Sequence, residues 1–333
     1  MAIDTAKTIT SGTAQYAIKN RYYDTLFLKI AEAKFIHKQL GQLNRKIGQG
    51  ENGYGTGAVY WTRWTNLPTV TAGQGEGVPT TAIQMTATNV TGTTAQYDAA
   101  VSISDLMAYT SFGDVMKESI SRLAYNAGVS IDTVVRNVVS LSGTQQNATL
   151  AGTAGLWTAI PATAVLSIGE IKKAVRTLRR NDTMESDGGL FVAAIHPDAL
   201  YDLMVDTSTG GWMQVNTYNS GENANKIFLG EVGKMAGVRF LESSNAYVRG
   251  SSCATNSAVL ASSSIYVTSI FGKDAFGVTE LQGLKTYVKD FGSGGVADPT
   301  DKVATAGWKT TFGAAMLNAS FFINLHHTVS STA

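Results

Sequence analysis

Ala58-Val59-Tyr60-Trp61-Thr62-Arg63-Trp64-Thr65-Asn66-Leu67, then Thr69–Pro79, then Ile83-Gln84-Met85-Thr86-Ala87-Thr88-Asn89-Val90, spells a long β-hairpin. Aromatic and β-branched residues fill the outgoing strand, and Gly73, Gly75 and Gly77 punctuate the tip. Ten extended residues reach roughly 30 Å, about the width of a small domain, so the hairpin is expected to project beyond its own core. The period of two sends Trp61 to one face and Tyr60 and Trp64 to the other. A two-stranded ribbon is marginal in water, and tryptophans wet on both faces are a liability. Other chains are therefore expected to cover it, with Tyr60, Trp61, Arg63, Trp64, Gly73, Gly75 and Gly77 as candidate intersubunit contacts. Replacing both Trp61 and Trp64 by Ala is expected to leave a folded protomer that assembles poorly.

Composition points the same way. The 333 residues carry a net charge of +1 and only 15% charged residues, against about 25% in an ordinary soluble domain. Interface centres are depleted in Lys, Glu and Asp, so large homo-oligomeric contacts are expected, beyond roughly 2,000 Å² per pair. At 44% hydrophobic the chain can bury a sizeable core, as one large domain or two smaller ones. Cys253 stands alone and frames neither a disulfide nor a cysteine-based zinc site. No apolar signal core and no membrane-length apolar run occurs, so the expected setting is a cytoplasm, with no membrane partner.

The first fifty residues hold eight cations against three acids, and residues 1–15 read as an extended arm. The arm reads as packing on a neighbour's acidic surface in preference to nucleic acid, because its cations are spread out. Tyr22, Leu26, Ile30 and Ala33 follow at helical spacing. After the hairpin, Ala95, Tyr97, Ala99, Val101 and Ile103 alternate as one face of a strand. The period then changes: Met116, Ile120, Leu123, Ala127, Ile131, Val134, Val138 and Leu141 make one stripe on a helix over 112–142, started by Ser111 with Asp114 and stopped by Gly143. Residues 142–163 read as loop or short hairpin. A second helix opens at Ser167 with Glu170; Lys172, Lys173, Arg176, Arg179 and Arg180 form a basic face, read as solvated in preference to a nucleic-acid site. From Gly188 the pattern is α/β: an apolar strand at 190–195, a helix opened by Pro197, and strands at 238–243 and 265–271. A last alternating strand spans Leu317 to Leu325.

The chemistry is sparse. Gly48-Gln49-Gly50-Glu51-Asn52-Gly53 spells the dinucleotide motif but lacks a preceding strand and a following helix, so it reads as a turn. His326 and His327 are adjacent on a strand and point to opposite faces, which suits neither a shared metal nor a proton relay. Asp98 and Asp105 bracket a strand-to-helix transition and read as a strand-edge residue and a first-turn residue. No catalytic constellation, cofactor site or metal site emerges, and an enzyme with a loop-built site has only the misplaced glycine motif in its favour.

The order of the elements, and the segments Gly57–Trp64, Glu76–Pro79, Gln96-Tyr97-Asp98, Ser104-Asp105, Ile195-His196-Pro197-Asp198, Gly230–Phe240, Phe271–Gly277 and Gly307-Trp308-Lys309, resemble the major capsid proteins of tailed bacteriophages, in the family found in short-tailed phages and many prophages. The resemblance implies an α+β, HK97-like capsid fold. It implies an N-terminal arm (1–50), an extended hairpin loop (51–94), a peripheral domain with a long spine helix (95–187 and 286–333) and an α/β axial domain (188–285). It further implies hexamers and pentamers tiling an icosahedral virion head around double-stranded DNA, assembled in the host cytoplasm with scaffolding, portal and cement proteins as further partners. A nearly neutral lumen wall would hold DNA without gripping it, provided charge is not segregated between faces. The alternative is another self-assembling structural protein, a tail tube or surface-layer subunit.

Overall fold

A computed structural model describes residues 25–31, 36–44, 58–73, 75–77, 79–80, 82–111, 113–148, 160, 164–186, 188–206, 231–249, 264–292 and 299–330. The arm, the glycine motif at 48–53 and Cys253 lie outside them. A helical stretch at 25–31 (α1) buries Phe27 and Ala31, with Leu26 and Ile30 half-buried, one position round from the expected stripe. Tyr22 and Ala33 are outside the described residues. A short turn of helix His37–Leu40 (α2) leads into strand Gln42–Asn44 (β1).

The hairpin is present with shorter strands than expected. Ala58–Trp64 (β2) pairs antiparallel with Ala87–Thr93 (β3), Trp64 opposite Ala87, and one further bond joins Thr65 N–H to Thr86 O at 3.0 Å. Pro68 has no N–H to give a ladder, so the pairing does not run through it.

Ala95–Ser104 (β4) buries Ile103 and half-buries Tyr97 and Ala99, as its alternation predicts, but leaves Ala95 and Val101 of the same face exposed. Ser104 caps a six-residue helix, Asp105–Thr110 (α3), by accepting Met107 N–H. The long helix is Val115–Leu141 (α4). Its cap is Asp114, which accepts Lys117 N–H at 3.1 Å, and not Ser111, which instead closes α3. The buried stripe follows Ile120, Leu123, Ala127 and Ile131, then continues through Val135 and Val139 instead of Val134 and Val138. With about 3.6 residues per turn, successive steps of four keep it facing the core. Gly143 ends the helix at φ +87°, and a side chain there would strike Phe322.

Residues Thr144–Asn147 form a parallel edge strand (β5) where a loop or short hairpin was expected. Ile168–Arg180 (α5) buries Ile168, Ile171, Val175 and Leu178, as expected. Phe191–Ile195 (β6) is buried throughout, and Pro197–Val205 (α6) starts on Pro197. Glu231–Met235 (β7) turns through Ala236 and Gly237, both at positive φ, into Val238–Glu242 (β8). Val248–Arg249 (β9), Ile265–Phe271 (β10), Phe276–Lys289 (β11), Val303–Met316 (β12) and Phe322–His327 (β13) complete the chain.

Two sheets organise these strands. One has the order β1-β11-β12-β4; the other runs β5-β13-β10-β6-β8-β7, with β9 on β10. Helix α4 lies across both: its buried stripe packs with Ala306, Trp308 and Phe312 of β12 and with Val192, Leu241, Phe271 and Phe322 of the second sheet. Helices α5 and α6 cover the opposite face of that second sheet, against Ala193, Ile195, Phe240, Ile270, Ile323 and Leu325. Strand β13 is thus buried on both faces, not half-buried, and it starts at Phe322 after a 3₁₀ turn at Ala319–Phe321. Its polar positions are consumed inside: Asn324 donates from Nδ2 to the carbonyls of Val139, Ser140 and Ser142, which the end of α4 leaves without helical partners.

Candidate assembly surface

The two faces of the hairpin have different fates. Val59 and Trp61 are buried, at 1% and 8% exposure, against Ala315, with Val90 and Leu317 packed beside them. The Trp61 ring lies flat over Gly92 and Gly277, where an added methyl group would come within 3 Å of it. Arg63, on the same face, sits 6.0 Å from the Phe321 ring centroid. Trp61 therefore packs on its own chain, because two glycines open a seat for the indole that no local pattern reveals, whereas Arg63 stays exposed. Trp61 Nε1 is buried without a hydrogen-bond partner among the described residues.

The other face is largely left open by the described residues. Tyr60 and Trp64 are 56% and 58% exposed. Beyond the ladder the described tip residues are all exposed, including the apolar Leu67, Val70, Ile83 and Met85. Gly73 and Gly77 have open space around them, Gly77 at φ +77°, and Gly75 is exposed. The four tip aliphatics were legible as residues but not as a set, since their shared exposure depends on the ladder ending at Trp64. A second apolar surface escaped the sequence reading. On α3, Leu106, Met107 and Tyr109 are exposed, beside a groove of about 620 Å³ lined by Val101, Met107, Val115 and Glu118. The signal was available: a six-residue helix with three large apolar side chains cannot bury them all.

A buried polar network ties the start of the described chain to the spine. Asp132 of α4 accepts the N–H groups of Ile36 and His37 at 3.0 and 2.7 Å, and its other oxygen meets His37 Nδ1 at 2.8 Å and Asn245 Nδ2 at 3.2 Å. Burial would raise this carboxyl, but the His37 and Asn245 contacts hold it below the ordinary carboxylate value. Arg136 donates to the Asn245 side chain and carbonyl and lies over Tyr247. His326 and His327 point to opposite faces, as read. His327 meets Thr268 Oγ1 and the Thr328 carbonyl, and His326 meets Asn147 Oδ1. Burial is the main reason both rings are pushed down to about 4, so they are neutral at pH 7. Asp105 opens α3 and Asp98 is an exposed strand residue bonded by Gln96, and the two share no site. No group of His, Cys, Asp and Glu among the described residues could hold a metal, and no helix among them is long and apolar enough to cross a membrane.

Residues 78–319 match the family described as phage capsid protein. The chain belongs to the phage capsid protein family. Its fold is that of solved phage heads. The capsid of cyanophage P-SCSP1u is 18% identical, with a TM-score of 0.63 over 89% of each chain. The capsid of Ralstonia phage GP4 is 13% identical, with a TM-score of 0.66 over 91% of each chain. The capsid asymmetric unit of cyanophage Pam1 is 12% identical, with a TM-score of 0.65 over 90% of this chain and 93% of that one. No curated protein matches the chain in sequence. The α+β architecture is accordingly the HK97-like capsid fold, and the chain is a major capsid protein of a phage head. The uncovered hairpin face and the α3 platform are exposed surfaces of a phage capsid protein that builds an oligomeric shell.

Proposed function

We propose that this phage capsid protein forms hexamers and pentamers that close into an icosahedral shell around double-stranded DNA. In this reading the hairpin is a strap laid over the adjacent copy. The single observation that carries it is the split hairpin: one face seated on its own chain through Val59 and Trp61, the other presenting Tyr60 and Trp64 to solvent. Exposed aromatics in this number are a liability for a monomer and an asset at an interface centre. Gly73, Gly75 and Gly77 let one tip sequence fit the slightly different neighbours of hexamers and pentamers.

The division into units follows the sheets. The peripheral unit comprises β1, β4, β11, β12 and the first turns of α4; the axial unit comprises the seven-stranded sheet with α5 and α6. This keeps the strap at 51–94 and the arm at 1–50, except that β1 of the arm joins the peripheral sheet. It moves β5, α5 and β13 from the peripheral to the axial unit, and β11 the other way. The role is structural and not enzymatic, assembly takes place in the host cytoplasm, and scaffolding, portal and cement proteins are the further partners. Hydroxyl-radical footprinting of subunits and of assembled particles tests the strap. Tyr60 and Trp64 should become protected on assembly while Trp61 stays protected in both. Equal labelling of Trp64 in both states would contradict it.

A further inference from the structure

The chain's net charge of +1 conceals one concentrated cationic surface. Of its 26 Lys and Arg residues, five lie within nine positions of α5. Lys172, Lys173, Arg176, Arg179 and Arg180 are all exposed, on the side of α5 opposite the buried Ile171, Ala174, Val175 and Leu178. They recur every three or four residues and so form a single stripe. Two of the five are partly neutralised: Lys173 pairs with Glu170 at 2.6 Å and Arg179 with Glu185 at 3.3 Å. Lys172, Arg176 and Arg180 have no acidic partner among the described residues.

The described helices of a second copy are a poor complement. The exposed acids Asp114 and Glu118 share their turns with Lys117 and Arg122, and Glu118 is already paired to Arg122. No described helix carries an anionic stripe to match α5. The α5 face also has no aromatic side chain for stacking bases and no amide for reading base edges. Such a surface suits a regular polyanion whose charge, not sequence, is recognised.

We propose that the exposed face of α5 is a phosphate-binding surface that meets the backbone of duplex DNA inside the head, through Lys172, Arg176 and Arg180. This rests on the capsid reading above. It also refines the neutral-wall expectation, since cations are concentrated on one helix of a chain whose net charge is only +1. Three phosphate contacts give a log–log salt slope of about −2.7, equal to a roughly 40-fold loss of affinity between 50 and 200 mM salt.

The test is fluorescence anisotropy of a labelled 20-base-pair duplex with the purified full-length subunit, across that salt range. The triple variant Lys172→Gln, Arg176→Gln, Arg180→Gln should flatten the slope by about 2.7, and Arg176→Gln alone by about 0.9. The control Lys285→Gln with Lys289→Gln, on the exposed face of β11, should leave it unchanged. An unchanged slope in the triple variant overturns the proposal. So does a triple variant that binds DNA like wild type but no longer forms particles, which would make α5 a protein contact. Failure of the capsid reading is separate: the wild-type chain would then form no particles at all, whatever its DNA affinity.

Discussion

Replacing Trp61 and Trp64 one at a time separates the two faces of the hairpin. Trp61 is 8% exposed in a seat made by Gly92, Gly277 and Ala315, so Trp61→Ala removes a core side chain. Such truncations cost about 3–5 kcal/mol. Its Nε1–H already lacks a partner, and losing that uncompensated group offsets part of the cost, which places the expected loss at the lower end, about 3 kcal/mol. Trp64 is 58% exposed, leaving roughly 130 Å² of an aromatic side chain for a partner to cover. At about 25 cal/mol per Å² this is worth up to about 3 kcal/mol per contact, or roughly 100-fold in contact affinity. Trp64→Ala should therefore unfold in denaturant like wild type, while the protein concentration needed to form particles rises steeply. Trp61→Ala should lower the denaturant midpoint of the unassembled subunit. The reasoning fails if Trp64→Ala destabilises the subunit as much as Trp61→Ala. It fails equally if Trp61→Ala leaves the midpoint in place and only abolishes assembly.

Three further outcomes are expected. His326 and His327 titrate near 4 in the folded chain, below the ordinary 6.5, so protonation favours the unfolded state. Stability is complete above pH 6.5 and falls as pH drops toward 4, by up to about 3 kcal/mol per ring; a denaturant midpoint unchanged between pH 7.5 and 4.5 would refute this. Gly143→Ala forces a Cβ into a left-handed backbone and against Phe322, and should cost about 2 kcal/mol or more in urea unfolding, against near-neutrality for Gly113→Ala in open space. Asp132→Ala strips an acceptor from three backbone N–H groups, those of Ile36, His37 and Lys38, and leaves His37 buried without its carboxylate, a loss of about 3–5 kcal/mol. Hydrogen exchange at Ile36 and His37 should accelerate far more than at Ile131.

Periodicity made the hairpin, α4, α5 and the β6–α6 pair legible, because each presents large apolar residues at a regular spacing. Strands β11 and β12, which build most of the four-stranded sheet, were not legible. The inner face of β12 is Ala304, Ala306, Trp308, Thr310 and Phe312, in which three of five positions are small or polar. Helix α4 packed on that face makes Ala306, Trp308 and Phe312 core. The final strand misled in the opposite sense, since Asn324 and His326 look like solvent-facing residues until the end of α4 and the side chain of Asn147 supply their partners. The candidate contacts divided for a similar reason. Alternation correctly put Trp61 and Trp64 on opposite faces, but which face meets its own chain is decided by Gly277, more than two hundred positions away.

Negative-stain electron microscopy of the purified chain at rising concentration tests the central claim most directly. A major capsid protein with an HK97-like fold should give closed, roughly spherical shells, and Trp64→Ala should give few or none at the same concentration. Tubes, flat sheets, or a monomer that persists at every concentration and salt condition would contradict it.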